Sequence, residues 1–239
     1  ILLCGDPGTS KSQLLSYVNK LSARGVYTSG KGSSAVGLTA AVVRDPETRD
    51  LVLESGALVL SDLGICCIDE FGCIREQDRT TIHEAMEQQT LSVAKAGIVC
   101  KLNCRATIIA VMNPKDCLYD NQASLSHNTG LGTPLLSRFD IIFKLMDTSD
   151  AERDSNVTTY LLNRAIQGAG FDVSTLDGEK SSESPWTMEK LRSYISFVKE
   201  LQPVMSDSAA LLLERHYEKC RSSPGNTIPV TVRFLESLI

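Results

Sequence analysis

The 239 residues contain no run of roughly eighteen apolar residues and no basic start followed by a short apolar stretch. A helical membrane span and a secretory leader are therefore not expected. The chain opens inside an apolar run and stops at Ile239 inside an apparent helix, so it reads as a fragment, and the missing leader says nothing about the parent protein. Positive charge is also short, because 24 Lys and Arg stand against 29 Asp and Glu, a net charge of −5. That argues against a broad basic face wrapping duplex DNA and leaves any nucleic-acid contact to particular loops. Eight cysteines are present, but no C-x-x-C pair is. Cys66 and Cys67 are adjacent in an apolar run, and Cys100 and Cys104 are separated by three residues, so zinc-site spacing is missing. The expectation is reduced cysteines serving as small core hydrophobes in an intracellular protein. No internal repeat is present.

What the chain does have is 42% hydrophobic residues, enough for one large or two small domains. Its first twelve residues organise the rest. Ile1 to Cys4 suit a buried strand, and Leu14, Leu15, Val18 and Leu21 have the spacing of one helical face. Between them lies Gly5-Asp6-Pro7-Gly8-Thr9-Ser10-Lys11-Ser12, a loop that feeds a helix N-terminus. Unpaired N–H groups and the helix dipole favour phosphate there, Lys11 can reach β/γ oxygens, and the Ser12 hydroxyl can hold Mg²⁺. Ser10 stands where the G-x-x-x-x-G-K-S/T pattern has its last glycine, so the backbone must tolerate a Cβ. An ordinary Gly/Ser turn before a helix is the alternative on this stretch alone.

Downstream, Val26 to Thr28 suits a strand, and Ser29 to Ser34 a flexible crossing. Leu38 to Val43 and Leu51 to Leu53 flank Asp45-Pro46-Glu47-Thr48 as a hairpin. A short helix over Gly56 to Asp62 precedes the strand Ile65 to Ile68, which ends in Asp69-Glu70. Glu76 to Gln89 reads as an amphipathic helix on Ile82, Ala85 and Met86. Leu91 to Ala94 and Ile98 to Leu102 form a second hairpin around Lys95-Ala96-Gly97, with Lys95 at an exposed tip. Ala106 to Met112 is a further central strand ending at Asn113-Pro114. Residues 115 to 132 lack periodicity. A short helix over Thr133 to Leu136 leads to Ser137-Arg138-Phe139-Asp140, and Ile141 to Leu145 returns to strand. Ser149 and Glu152 suggest a capping box for a helix running to about Ile166. Gly168 to Pro185 reads as a linker. Three helices follow, with His216 expected as a boundary core residue rather than a ligand. Strands alternating with helices predict an α/β fold with a mostly parallel sheet covered on both faces.

A phosphate loop followed by a strand ending in two acids carries the chemistry of metal-assisted phosphoryl transfer to water. Asp69 would orient the Mg²⁺ shell with Ser12, and Glu70 would polarise the attacking water. Asn113 lies at the end of the next strand. Its amide can position water or the γ-phosphate, or it can simply belong to an Asn-Pro turn. Arg138 is open to the same two readings, as a functional cation or an arginine facing water.

The segments GDPGTSKS, CCIDEF, MNP and LLSRFD, in this order and spacing, resemble the AAA+ core of the minichromosome maintenance (MCM) family. YTSGKGSSAVGLTA, HEAMEQQTLSVAKAGIVCKLN and TVRFLESLI extend the resemblance over essentially the whole chain. Small residues at the Ser10 position are usual in that family. CKLN, LGTPLLSRFD and WTMEKLRSYISFVKELQPVMSD resemble its ninth paralogue, the type linked with recombination and repair. The Ser10 loop and TSGKGSSAVGLTA resemble the fourth, replicative one.

This resemblance implies a P-loop ATPase core at residues 1–166, a linker at 167–186 and a small helical lid at 187–239. It also implies a hexameric ring of MCM-family subunits in the nucleus, holding ATP and Mg²⁺ between subunits and moving on DNA. Gly5, Asp6, Pro7, Gly8, Thr9, Ser10, Lys11, Ser12 and Gln13 would form the ATP cradle, and Lys11, Asp69, Glu70 and Asn113 would act within their own subunit. Arg138 matches the arginine finger offered to a neighbour, Arg233 the second sensor arginine acting across the interface, and Glu236, which shares the helical face of Arg233, is a further candidate for binding ATP. Lys95 matches the DNA-contacting tip of a channel hairpin. The hairpin at residues 38–54 matches the family's helix-2 insertion, whose mixed-charge tip (Arg44, Asp45, Glu47, Arg49) suits a mechanical wedge or coupler. An exposed lysine that merely discourages hairpin aggregation is the plain alternative for Lys95. For the whole chain the alternatives are a AAA+ remodeller acting on protein and a ring subunit that binds ATP structurally with little turnover.

Overall fold

The computed structural model describes residues 1–31, 35–44, 51–95, 98–168, 186–222 and 230–239. In chain order it begins with β1 (Leu2–Gly5), α1 (Lys11–Leu21), β2 (Gly25–Ser29) and α2 (Ala35–Leu38). Then come β3 (Ala40–Arg44), β4 (Leu51–Ser55), α3 (Ala57–Leu60) and β5 (Ile65–Asp69). A single 3-10 turn at Phe71–Cys73 leads to α4 (Glu76–Gln88), β6 (Thr90–Lys95), β7 (Ile98–Asn103) and β8 (Thr107–Met112). The core continues through α5 (Leu125–Thr129), α6 (Thr133–Leu136), β9 (Ile142–Leu145) and α7 (Ala151–Gly168). Three further helices are α8 (Met188–Lys199), α9 (Asp207–Ser222) and α10 (Val232–Glu236).

Five strands form one sheet in the order β2-β5-β8-β1-β9, with every pairing parallel. The central members are the apolar runs of the sequence. Cys66 to Ile68 and Ile108 to Met112 are buried because both faces of the sheet are covered, which removes the polar alternation of a half-exposed strand. Side chains still alternate between two cores. Leu2, Cys4, Cys66, Ile68, Ala110 and Met112 pack on one face with Phe71, Leu136 and Phe139. Cys67, Ile109 and Val111 pack on the other with Leu15 of α1. Phe71 and Phe139 meet edge to face at 5.6 Å and 81°, which ties the turn after β5 to the segment after α6.

Both hairpins form as separate two-stranded antiparallel sheets, β3 with β4 and β6 with β7. They share a small core in which Ala40, Leu91 and Val93 are buried and Leu53, Val59, Cys100 and Leu102 pack against them. The tip residues Asp45, Pro46, Glu47, Thr48 and Arg49, and Ala96 with Gly97, lie outside the described residues, as does the linker from 169 to 185.

Several local expectations are corrected. Leu38 is not the start of a strand but the end of the one-turn α2, which places its side chain in the main core. The aperiodic stretch contains α5, too short to show a helical period. Ser124 Oγ accepts the His127 N–H at 3.2 Å, and Gly130 at φ 62° ends the helix. At the start of α7, Asp150 rather than Ser149 accepts the Glu152 N–H, at 3.1 Å, and the helix runs on to Gly168. His216 is exposed and lies against the Phe234 ring at 6.1 Å instead of entering a core. Cys4, Cys66, Cys67 and Cys104 are buried, whereas Cys73 and Cys117 are exposed. Burial pushes the Cys66 thiol up to about 12, so it stays neutral in its apolar setting. No described helix is long and apolar enough to cross a membrane.

Candidate nucleotide site

Parallel pairing brings the C-terminal ends of β5, β8 and β1 side by side, in that order, along one edge of the sheet. Asp69 ends β5, Asn113 follows β8, and the loop Asp6 to Ser10 follows β1. These are adjacent strands, so three distant sequence segments converge on the edge where open α/β sheets bind ligands.

The loop is held from below. Gly5 sits so close to β9 that an added Cβ would meet the Leu145 carbonyl oxygen at 1.9 Å. The Asp6 carboxylate, almost fully buried, accepts the Tyr119 N–H at 2.7 Å through Oδ1 and the Asp147 N–H at 2.9 Å through Oδ2. Those two backbone donors hold its pKa below the usual carboxylate value. The sequence places Asp6 in the cradle, and the structure gives its side chain to a brace on two neighbouring loops. Gly8 and Ser10 both have positive φ, at 85° and 59°. Ser10 thus adopts the left-handed conformation that a glycine would take freely.

Ser10 is the N-cap of α1 without a side-chain cap, and its carbonyl accepts the Leu14 N–H at 3.0 Å. The N–H groups of Lys11, Ser12 and Gln13 precede that first helical bond and point out of the first turn. Lys11 is buried and folded back on its own loop. Its ammonium donates to the Gly5 carbonyl at 2.8 Å, the Asp6 carbonyl at 2.5 Å and Thr9 Oγ1 at 3.1 Å, while Thr9 Oγ1 donates to the Asp6 carbonyl at 2.8 Å. Burial lowers the Lys11 pKa, and nearby Cys4, Asp6 and Asp69 oppose that shift. Ser12 and Gln13 are exposed beside it.

Across the edge, each acid has a partner on β2. Tyr27 donates to Asp69 Oδ2 at 2.7 Å, and Ser29 donates to Glu70 Oε2 at 3.1 Å. Asp69 Oδ1 also accepts the Glu70 N–H at 2.8 Å, and Glu70 takes a left-handed backbone, φ 49°. That conformation turns the chain sharply after the strand. Burial and the Asp69 hydrogen bond push the Tyr27 hydroxyl up to about 12, so it remains a donor. Asn113 is exposed at the end of β8.

The two arginines meet elsewhere. Arg138 Nη2 donates to Glu87 Oε2 at 2.6 Å, its Nη1 donates to the Pro134 carbonyl, and Arg233 Nη2 donates to Glu87 Oε1. Their hydrogen bonds run to α4 and α6, and none reaches Lys11, Asp69 or Glu70. Glu236 is exposed at the end of α10. Lys95 closes β6, paired with Ile98 across the hairpin.

A phosphate chain fits this cradle chemically. Uncapped N–H groups and a buried ammonium suit phosphate oxygens, and a hydroxyl with a carboxylate supplies hard oxygen donors of the kind Mg²⁺ takes. The family models agree. A model described as the MCM P-loop domain matches residues 1–165, and one described as the MCM AAA-lid domain matches 189–239. The chain belongs to the minichromosome maintenance family. Among MCM relatives, it is 47% identical over 247 residues to DNA replication licensing factor MCM4 of Oryza sativa subsp. japonica, covering 100% of this chain and 28% of that one. It is 48% identical over 242 residues to the mcm4-B licensing factor of Xenopus laevis, covering 100% of this chain and 27% of that one. A probable DNA helicase MCM9 of Oryza sativa subsp. indica is 48% identical over 241 residues, covering 100% and 34%. The chain therefore spans about a quarter to a third of the length of these MCM relatives. Replicative and ninth-type relatives are equally similar, as the mixed resemblance of the sequence segments implies. An MCM P-loop domain implies nucleotide binding.

Sequence reasoning missed Tyr27, Ser29 and Glu87. The first two left a usable signal, because polar residues two apart at a strand exit share one side. What the sequence alone could not supply was the register pairing Ser29 with Asp69. Glu87 is one charged residue among many on an amphipathic helix, and nothing in its local sequence distinguishes it.

Proposed function

We propose that this chain is the ATPase module of a DNA helicase subunit that hydrolyses ATP at sites shared between subunits of a hexameric MCM ring and so translocates on DNA. The observation that carries this reading is the convergence of the Lys11 loop, Asn113, and Asp69 with Glu70 on one edge of adjacent strands. The relatives' descriptions, DNA replication licensing factor and probable DNA helicase, support work in replication or as a helicase. The nucleus and homologous-recombination repair are what the resemblance to the ninth paralogue adds to this reading.

On ATP binding, Lys11 would leave the Gly5 and Asp6 carbonyls for β/γ-phosphate oxygens, and the N–H groups from Gly8 to Gln13 would cradle the chain of phosphates. Ser12 and Asp69 would hold Mg²⁺, which when bound neutralises phosphate charge as a Lewis acid. Tyr27 keeps one Asp69 oxygen fixed. Glu70 must exchange its Ser29 hydrogen bond for one to the attacking water, whose proton it accepts, a contribution of about 10²–10⁴ in rate. Asn113 orients that water or the γ-phosphate. Arg138 and Arg233 complete a neighbour's site rather than their own, and a finger in trans is worth about 10³–10⁵ in turnover. Glu236, three residues after Arg233 on the same helical face, would join it at that ATP.

Lys95 gives each subunit one phosphate contact at a hairpin end, which makes a salt-sensitive track without base reading. The β3–β4 hairpin shares a core with the Lys95 hairpin, which supports a mechanical coupling role for the insertion. In the full-length assembled protein, Lys95→Ala should abolish strand separation while basal ATP hydrolysis survives. Unaffected strand separation would reject the DNA role of Lys95, and hydrolysis that never responds to DNA would reject the helicase reading.

A further inference from the structure

Glu87 lies at the last turn of α4, and both of its carboxylate oxygens are engaged by arginines from different parts of the chain. Oε2 accepts from Arg138 Nη2 at 2.6 Å, and Oε1 accepts from Arg233 Nη2. Arg138 belongs to the segment after α6, and Arg233 to the last helix of the lid. The Glu87–Arg233 ion pair joins the last lid helix to the core. Two guanidinium groups held this close would repel each other without an anion between them. Glu87 supplies it, and the arginines in turn keep its carboxyl below the usual carboxylate range.

The way the arginines are held leaves them usable. A guanidinium has five N–H donors, and Glu87 takes a bond from one nitrogen of each. Arg138 is further fixed by Nη1 on the Pro134 carbonyl, and its side chain is 14% exposed against 38% for Arg233. Hence the finger is the rigid member and the lid arginine the one brought to it. Exposed ion pairs contribute little to stability, usually below about 1 kcal/mol. Glu87 and Arg233 are 44% and 38% exposed, so the contact to the lid adds little to fold stability, whereas the Arg138 contact is more sheltered.

We infer that Glu87 is a positioning residue that sets Arg138 and Arg233 side by side, as one unit, for delivery to the ATP held by an adjoining subunit. This role rests on the reading of both arginines as acting in trans. It adds the group that fixes their spacing and makes the lid's placement part of the same contact.

The test uses the full-length protein in its assembled state and measures kcat and KM for ATP, oligomeric mass and unfolding midpoint. The variants are Glu87→Gln, Glu87→Asp, Arg138→Ala and the double variant Glu87→Gln/Arg138→Ala. Glu87→Gln should lower kcat about tenfold or more, with KM within about twofold and mass and midpoint unchanged. Glu87→Asp, which keeps the charge on a shorter stem, should recover part of that loss. Adding Glu87→Gln to Arg138→Ala should cost a smaller fold loss than it does in the wild type, because only Arg233 is left to position. Wild-type kcat in Glu87→Gln, or the same fold loss with Arg138 absent, overturns the proposal while leaving the arginine reading standing. Wild-type turnover in Arg138→Ala overturns the arginine reading and the positioning role with it.

Discussion

Asp6→Asn separates two roles for an acid inside a phosphate loop. In the structure the Asp6 carboxylate accepts two backbone N–H groups, from Tyr119 at 2.7 Å and Asp147 at 2.9 Å. Hydrogen bonds to a charged group contribute about 1.5–3 kcal/mol each, and an amide side chain can offer an oxygen to only one of the two donors. The other N–H then faces an NH₂ group. The substitution should therefore cost about 2–3 kcal/mol of local stability. At about 1.4 kcal/mol per tenfold, that is roughly 30- to 150-fold faster opening at these two amides. Hydrogen exchange on the full-length protein reads this directly, in peptides carrying Tyr119 and Asp147. The acid limb has a definite sign. Because the folded pKa of Asp6 lies below its ordinary 3.8, its stabilisation is present above 3.8 and is lost as pH falls through the folded value. The wild-type protein should lose protection at these amides in that acid range, and Asp6→Asn should show no such limb. Unchanged exchange at neutral pH with weakened ATP binding would refute the reasoning and make Asp6 a ligand instead of a brace.

Ser10 carries a left-handed backbone, φ 59°, which costs a residue with a Cβ about 1–2 kcal/mol, against about 0.5–1 kcal/mol of extra chain entropy lost by glycine. Ser10→Gly should thus raise stability by up to about 1 kcal/mol, read as a higher denaturant midpoint, and a lower midpoint would mean the serine hydroxyl makes an unrecognised contribution. His83 lies one turn before Glu87, and burial and then Arg138 lower its pKa from 6.5. The folded protein favours the neutral ring, so stability should hold above about 6.5 and decline as pH falls from there through the folded value. His83→Gln should flatten that limb of the midpoint-versus-pH curve, and an unchanged limb would assign it to other groups.

Much of this architecture was legible because it rests on continuous apolar runs and on short motifs whose spacing is local. The runs at Ile65 to Ile68 and Ala106 to Met112 read as buried strands, and the loop before Lys11 reads as a phosphate cradle once the two acids that end the later strand are set beside it. Two kinds of feature were not legible. One-turn helices such as Ala35–Leu38 and Leu125–Thr129 are shorter than the window in which a helical period can be recognised. Contacts fixed by register or by distant packing also have no local signature. Ser29 meets Glu70 because β2 pairs with β5, and Glu87 meets Arg233 across 146 positions of sequence. Asp6 shows the reverse case, in which a residue correctly placed in the loop has a side chain spent on holding it.

The most direct test of the account is ATP binding and turnover by the full-length, assembled protein carrying Glu70→Gln. The amide keeps the Ser29 contact and the site's shape but cannot take a proton from water. The account predicts ATP affinity close to wild type with turnover lowered by about 10²–10⁴. Turnover equal to wild type in that variant would contradict it.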